Sequence, residues 1–175
     1  MNSIIKHRLP TYFFQRDVLF VAPELLGKIL VRQFPDGTVA RYSITETEAY
    51  SGDGDRACHA SKGKTPRTEV MFREGGHVYV YLIYGMYWML NFVTGPLGEA
   101  SAVLIRGLEG ISGPGKVGKA LQLDRSFYGE NLETSDRIWI EDTENRPGFI
   151  ATPRIGIDYA GEPWVSKPWR FIVKT

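Results

Sequence analysis

Two stretches of this chain concentrate side chains that could do chemistry. The first is Thr45-Glu46-Thr47-Glu48-Ala49-Tyr50, and the second is Tyr79-Val80-Tyr81-Leu82-Ile83-Tyr84-Gly85-Met86-Tyr87. Alternate side chains of a strand share a face, so Glu46, Glu48 and Tyr50 should project together, as should Tyr79 and Tyr81. If both strands belong to one sheet, a carboxylate faces several flat aromatic surfaces. Such a set suits a planar heterocycle held between rings while the carboxylate prepares a water to attack its bond to a sugar. Spacing alone leaves Glu46 and Glu48 equivalent in that role. His59 beside Cys58 offers two metal-ligating groups, but no second Cys/His pair stands at a zinc spacing, so neither metal nor cofactor is expected.

The elements that must position these groups can be read from caps, turns and periodicity. Asp17, followed by Val18, Leu19, Val21, Ala22, Leu25 and Leu26, predicts a helix that begins at an N-cap and stops at Gly27. Residues 28–34, the turn Pro35-Asp36-Gly37, and residues 39–47 predict an antiparallel hairpin that carries Glu48 near its end. Residues 51–77, rich in Gly, Asp, Lys and Pro, read as a long loop of the kind that is commonly functional. Residues 78–83 and 89–93 predict a second hairpin with Tyr84-Gly85-Met86-Tyr87 at its tip, Gly85 supplying the backbone freedom of the turn. A strand at 102–106, a short helix at 116–121, and strands near 137–141, 154–158 and 169–173 complete the reading. The expected fold is mixed α/β (α+β) and mainly antiparallel.

Composition bounds the partners. A chain of 175 residues suits one well-buried core, so a single domain over 1–175 is expected. No apolar run approaches membrane-spanning length, no secretory leader opens the sequence, and Cys58 is the only cysteine, which favours a soluble protein of the reducing cytoplasm. The net charge of +1 gives no global attraction to polyphosphate. Local clusters must supply it, and Lys62, Lys64 and Arg67 crowd the 51–77 loop.

From about residue 10 to its end the sequence resembles the alkyladenine type of 3-methyladenine DNA glycosylases, also called the methylpurine family. The resemblance rests on Glu46-Thr47-Glu48-Ala49-Tyr50, Thr65-Pro66-Arg67 with Met71-Phe72, and Tyr79 to Tyr87 with Asn91. Ala102 to Arg106, Gly113-Pro114-Gly115-Lys116, and Arg154-Ile155-Gly156 through Lys167-Pro168-Trp169-Arg170-Phe171 extend it. It implies a compact domain with a curved sheet, flanking helices and a protruding hairpin. It also implies a base-excision-repair enzyme acting on double-stranded DNA as a monomer. Such an enzyme flips damaged purines (3-methyladenine, 7-methylguanine, hypoxanthine or ethenoadenine) from the duplex and hydrolyses the N-glycosidic bond without a lyase step.

Residue by residue, the resemblance implies Glu48 as general base and Arg106 near the attacking water. Tyr50, His59, Tyr81 and Asn91 would line the base pocket. Tyr84 and Met86 would enter the duplex, and Thr65 and Arg67 would lie at the DNA backbone. Two other readings of the same residues remain open: a noncatalytic nucleic-acid-binding module with a stacking platform, and a hydrolase of free nucleosides.

Overall fold

The computed structural model describes residues 7–175. The chain opens with α1 (Thr11–Phe14) and α2 (Val18–Glu24), then forms β1 (Ile29–Gln33) and the long β2 (Val39–Tyr50). After the 51–77 segment come β3 (Val78–Ile83), β4 (Tyr87–Thr94), β5 (Ser101–Leu108), β6 (Ile111–Ser112) and α3 (Pro114–Ala120). The chain ends with β7 (Ile138–Glu141), β8 (Phe149–Thr152) and β9 (Arg170–Val173). All the pairings are antiparallel, and the strands form one sheet in the order β3-β4-β5-β2-β1-β7, with β6 on β5, and β9 joining β2 to β8.

Strand β2 is the spine of this curled sheet. Its first part pairs with β1, and its second part lies between β5 and β9. Alternation then sorts side chains onto two faces. Ile44, Ala49, Val78, Val80, Leu90, Phe92, Val103 and Ile105 point to one side. They form the main core with Phe14, Val18, Val21, Ala22 and Leu25 from the first helices and with Val117 and Leu121 around α3. Each such large apolar side chain contributes about 1.5–3 kcal/mol when buried. The opposite face carries Glu46, Glu48, Tyr50, Tyr79, Tyr81, Asn91, Leu104 and Arg106, and this polar and aromatic face meets the 51–77 segment.

Asp17 caps α2 as its sequence position predicts, accepting a hydrogen bond from the Leu19 N–H at 2.8 Å. Helix α2 ends at Glu24, just past Pro23, rather than running on to Gly27. The 51–77 segment is less bare than its composition suggests. It holds two 3₁₀ turns, His59–Lys62 and Glu69–Phe72, and buries Cys58, Ala60, Val70 and Met71 against Tyr79 and Ala102.

One expected strand is displaced. Residues 154–158 are irregular and run into a 3₁₀ turn at Asp158–Ala160, while the strand lies earlier, at Phe149–Thr152. The Ile155/Ile157 alternation that suggested a strand fails because Gly156 sits at φ +73° and Ile157 packs into a separate small cluster with Ala57 and Ala160. Strand β6 was too short to leave a sequence signal.

The β3–β4 hairpin turns through three residues, Tyr84-Gly85-Met86, with Tyr87 already paired to Ile83. Tyr84 (φ +52°) and Gly85 (φ +66°) are both left-handed, and the Met86 N–H closes the turn on the Ile83 carbonyl at 3.1 Å. That is the backbone a tight hairpin requires, and holding a tyrosine in it costs energy that glycine would not incur. Just behind the hairpin's tip α3 lies against β4 so closely that a Cβ on Gly118 would stand 1.9 Å from the Trp88 carbonyl oxygen. Among the described residues, no helix is long and apolar enough to cross a membrane.

Candidate active site

The polar face of the sheet forms the floor of a cavity of about 350 Å³, near the lower end of the roughly 300–1,000 Å³ usual for small-molecule pockets. Strand β3 contributes Tyr79, Tyr81 and Ile83, β4 contributes Met89 and Asn91, and β5 contributes Ala102, Leu104 and Arg106. The 51–77 segment covers one side with Ala57, His59, Arg67 and Met71, and residues 155–159 close another with Ile155 and Tyr159. Tyr84 reaches the rim from the hairpin tip.

Glu48 lies beneath this cavity with no exposed surface. Its Oε1 accepts from the Ile155 N–H at 2.8 Å, and its Oε2 accepts from the Tyr50 hydroxyl at 2.6 Å. Arg106 Nε stands 3.6 Å from Oε1. Burial raises the Glu48 carboxyl above the ordinary carboxylate range, against the opposing pull of Arg106, the Tyr50 and Ile155 hydrogen bonds and Arg154. The result is a carboxylate with its lone pairs directed by fixed donors and a basicity above that of a surface glutamate.

Glu46, its equivalent by spacing, is placed differently. It keeps some exposed surface and is engaged by two arginines, accepting from Arg106 Nε at 3.1 Å and from Arg170 Nε at 2.5 Å. The two carboxylates share Arg106 because of a local irregularity. Pairing steps from Thr47 opposite Ile105 to Glu46 opposite Gly107, leaving Arg106 as an extra residue on β5. Such a bulge re-aims a side chain, here between the two glutamates.

The rings of the cavity contact one another. His59 meets Tyr81 edge-on at 4.5 Å between ring centres, and its Nδ1 lies 3.0 Å from the Tyr79 hydroxyl. Burial, with Arg67 nearby, lowers the imidazole to about 4, so it is neutral at pH 7. Burial pushes the Tyr79 hydroxyl up to about 12 and raises Tyr50 and Tyr81 as well, the Glu48 charge adding to both of the latter shifts, so all three are protonated donors. Asn91 is buried, with its Nδ2 donating to the Tyr79 carbonyl at 3.2 Å.

Of the residues expected at the duplex, Tyr84 and Arg67 border the cavity, and Met86 and Thr65 do not. Tyr84 is 85% exposed and Met86 65% exposed, both on the hairpin tip. Arg67 is exposed and borders the cavity, with its guanidinium 5.2 Å from the centre of the Tyr81 ring. The Thr65 hydroxyl is engaged with its own turn, 3.1 Å from the Thr68 hydroxyl. Among the described residues no group of three or more His, Cys, Asp or Glu side chains is arranged to hold a metal ion.

Sequence reasoning passed over several groups that the fold brings here. Tyr79 was placed on the right face by alternation but given no role, although it holds His59. The Ile155 donor is a backbone N–H, which residue type cannot announce. Tyr159 and the buried Asp55 and Arg154 were given no role either, although Asp55 lies in the 51–77 loop and Arg154 opens a stretch that carries the resemblance.

Comparison with known sequences places the chain in a family. The sequence model of the family described as methylpurine-DNA glycosylase (MPG) matches residues 12–113 and 109–175. A Methanocella arvoryzae protein named "Putative 3-methyladenine DNA glycosylase" is 47% identical, the alignment covering 95% of this chain and 92% of that protein. Proteins of the same name from Psychrobacter cryohalolentis and Legionella pneumophila are 41% and 45% identical, covering 97% and 95% of this chain and 90% and 94% of their own lengths. With matches that run nearly end to end, the chain belongs to the methylpurine-DNA glycosylase family.

Proposed function

We propose that this protein is a DNA glycosylase that takes a damaged purine out of duplex DNA into the aromatic cavity and hydrolyses its N-glycosidic bond. The observation that carries the reading is Glu48, a fully buried carboxylate held by two hydrogen-bond donors with Arg106 at 3.6 Å, beneath a cavity walled by Tyr50, Tyr79, Tyr81 and His59. Tyr50 and Tyr81 stack on the base, at about 1–3 kcal/mol per contact, which offsets much of the few kcal/mol needed to extrude it. Damaged or mispaired bases cost less to unstack and are favoured by this balance. Tyr84 fills the gap left in the duplex, as apolar wedges do in the minor groove.

In the reaction, a water held by Glu48 attacks the anomeric carbon as the bond to the base nitrogen breaks. The water's proton passes to Glu48, and the bonding pair leaves with the base. Glu48 also faces the positive charge that develops on the sugar. A purine alkylated at N3 or N7 is cationic and departs as a neutral base, so it needs no acid. A neutral purine such as hypoxanthine needs help on the leaving group. In the tautomer that accepts the Tyr79 hydroxyl at Nδ1, the neutral His59 offers its Nε2–H as a donor to the base. Among the described residues no lysine lines the cavity, which supports hydrolysis over a Schiff-base lyase step.

The test is release of base from duplex oligonucleotides carrying a single hypoxanthine, ethenoadenine or 3-methyladenine, read by alkaline cleavage of the abasic product. Wild type should release base. Glu48→Gln should bind the same duplex and lose about 10²- to 10⁴-fold in rate, the usual share of a general base. Release by neither protein, with lesion binding intact, would point to a binding module. Equal release by both would move the base elsewhere.

A further inference from the structure

The cavity walls come from segments far apart in the chain, and one buried ion pair joins them. Arg154, just after β8, and Asp55, in the loop after β2, have side chains with no exposed surface. Arg154 Nη1 donates to Asp55 Oδ2 at 2.6 Å and Nη2 donates to Oδ1 at 3.0 Å, a two-point fork. Nη1 also donates to the Ala49 carbonyl at 2.9 Å. Asp55 completes its set by accepting from the Ser51 and Ala57 backbone N–H groups at 3.1 and 3.0 Å. Rings lie against the guanidinium, whose carbon is 4.8 Å from the centre of Tyr50 and 5.0 Å from that of Trp169. Lys167 Nζ then stands 4.9 Å from Trp169 and 5.3 Å from Trp164. Aromatic rings and cations therefore alternate outward from the cavity wall, in the order Tyr50, Arg154, Trp169, Lys167, Trp164.

Every attachment of this pair is adjacent to a group of the site. Ile155, whose N–H holds Glu48 Oε1, follows Arg154 directly. Tyr50, whose hydroxyl holds Oε2, is in contact with the guanidinium. Ala57, whose N–H is held by Asp55, lines the cavity, receives the Tyr159 hydroxyl on its carbonyl at 3.0 Å, and precedes His59 by two residues. Stability alone gives a weak account of the pair, because two desolvated charges are often no better than apolar residues of the same volume.

We propose that Arg154 and Asp55 are positioning residues for the reaction, fixing the Glu48 carboxylate, the Tyr50 ring and the His59 segment relative to one another. The proposal rests on the glycosylase reading with Glu48 as base. It has an electrostatic side. The charged and titratable groups around Glu48 are Glu46 and Tyr50 from β2, Tyr81 from β3, Arg106 from β5, Arg170 from β9, and Arg154 and Tyr159 beyond β8. Among them Arg106 and Arg154 favour its ionised form by their charge, so removing the Arg154 charge makes Glu48 harder to ionise.

The test compares wild type, the double variant Arg154→Met/Asp55→Asn, which leaves no buried charge unpaired, and Arg154→Lys, which keeps the charge and loses the fork. Single-turnover release of hypoxanthine from duplex is measured against pH, together with affinity for undamaged duplex and the melting midpoint. No release by wild type refutes the glycosylase reading, and this proposal with it. With an active wild type, the double variant should lose about ten- to a hundredfold in rate per folded molecule, the scale of a misplaced reacting group. It should bind undamaged duplex as wild type does, and its acidic limb should move to higher pH. Arg154→Lys should lose rate with the limb unmoved. A folded double variant with the rate and limb of wild type overturns the proposal, as does a loss accounted for wholly by unfolded protein. If the double variant does not fold, Arg154→Lys decides alone: a lower rate per folded molecule at unchanged duplex affinity supports positioning, and a wild-type rate overturns it.

Discussion

Tyr50→Phe separates the two jobs assigned to Tyr50, because it removes the hydroxyl and keeps the ring. The hydroxyl donates to Glu48 Oε2 at 2.6 Å, while the ring lines the cavity. A hydrogen bond to a charged group is worth about 1.5–3 kcal/mol, and each pH unit of differential stabilisation is 1.36 kcal/mol. Loss of the donor destabilises only the ionised carboxylate, leaving it with Ile155 and Arg106. The carboxyl, already raised by burial, must therefore rise further. If ionised Glu48 is the base, the acidic limb of the single-turnover rate should move up by about one to two pH units. The plateau above the limb and the affinity for lesion duplex should change little, since the stacking surface is intact. The assay is base release from a hypoxanthine duplex with enzyme in excess, followed across the acid range for wild type and variant. A limb that stays in place while the plateau falls would refute the argument. It would mean that the hydroxyl acts on the substrate rather than on Glu48.

Further outcomes follow from the same geometry. Tyr84→Ala removes an exposed ring, so the melting midpoint should hardly move; loss of about 1–3 kcal/mol of stacking should slow excision from duplex by roughly 5- to 150-fold, and an unchanged rate would remove the tip from the mechanism. His59→Gln should flatten one part of the stability–pH curve. The imidazole titrates at about 4 when folded against an ordinary 6.5, so the unfolded chain binds its proton first. Wild-type stability from this group is complete above pH 6.5 and is lost as pH falls towards 4. Denaturant titrations of both proteins over that range should converge at the acid end. Asp17→Ala deletes the α2 cap and should cost about 1 kcal/mol, or about 2–4 °C in melting midpoint for a chain of this size, with excision unchanged.

The parts of the site that were legible in the sequence are those that alternation controls. Glu46, Glu48 and Tyr50 share a face because they share a strand, and Tyr79 and Tyr81 follow the same rule one hairpin away. What alternation could not do was rank Glu46 against Glu48. That needed the burial of one and the Arg106–Arg170 partnership of the other, which depend on a bulge in β5 and on β9. The hairpin tip was readable from Gly85, but the left-handed Tyr84 was not, since nothing local compels a tyrosine into that conformation. The third support of Glu48 lies 107 residues away as a backbone donor. The alternating Ile155 and Ile157 resembled a strand until Gly156 and the small Ala57 cluster bent the chain away.

The contact between α3 and β4 bears on how the hairpin carries load. At Gly118 the helix backbone rests on the Trp88 carbonyl, and at Gly115 a Cβ would stand 3.0 Å from the Tyr87 ring. No layer of long, yielding side chains cushions that junction. In mechanical terms the hairpin is clamped one to two residues behind its turn, so only Tyr84-Gly85-Met86 overhangs, with Tyr84 on that short free end. Force applied at the tip passes directly through Tyr87 and Trp88 into a helix seated on the main core. The compliant partner in any such contact is then whatever the tip is pressed into.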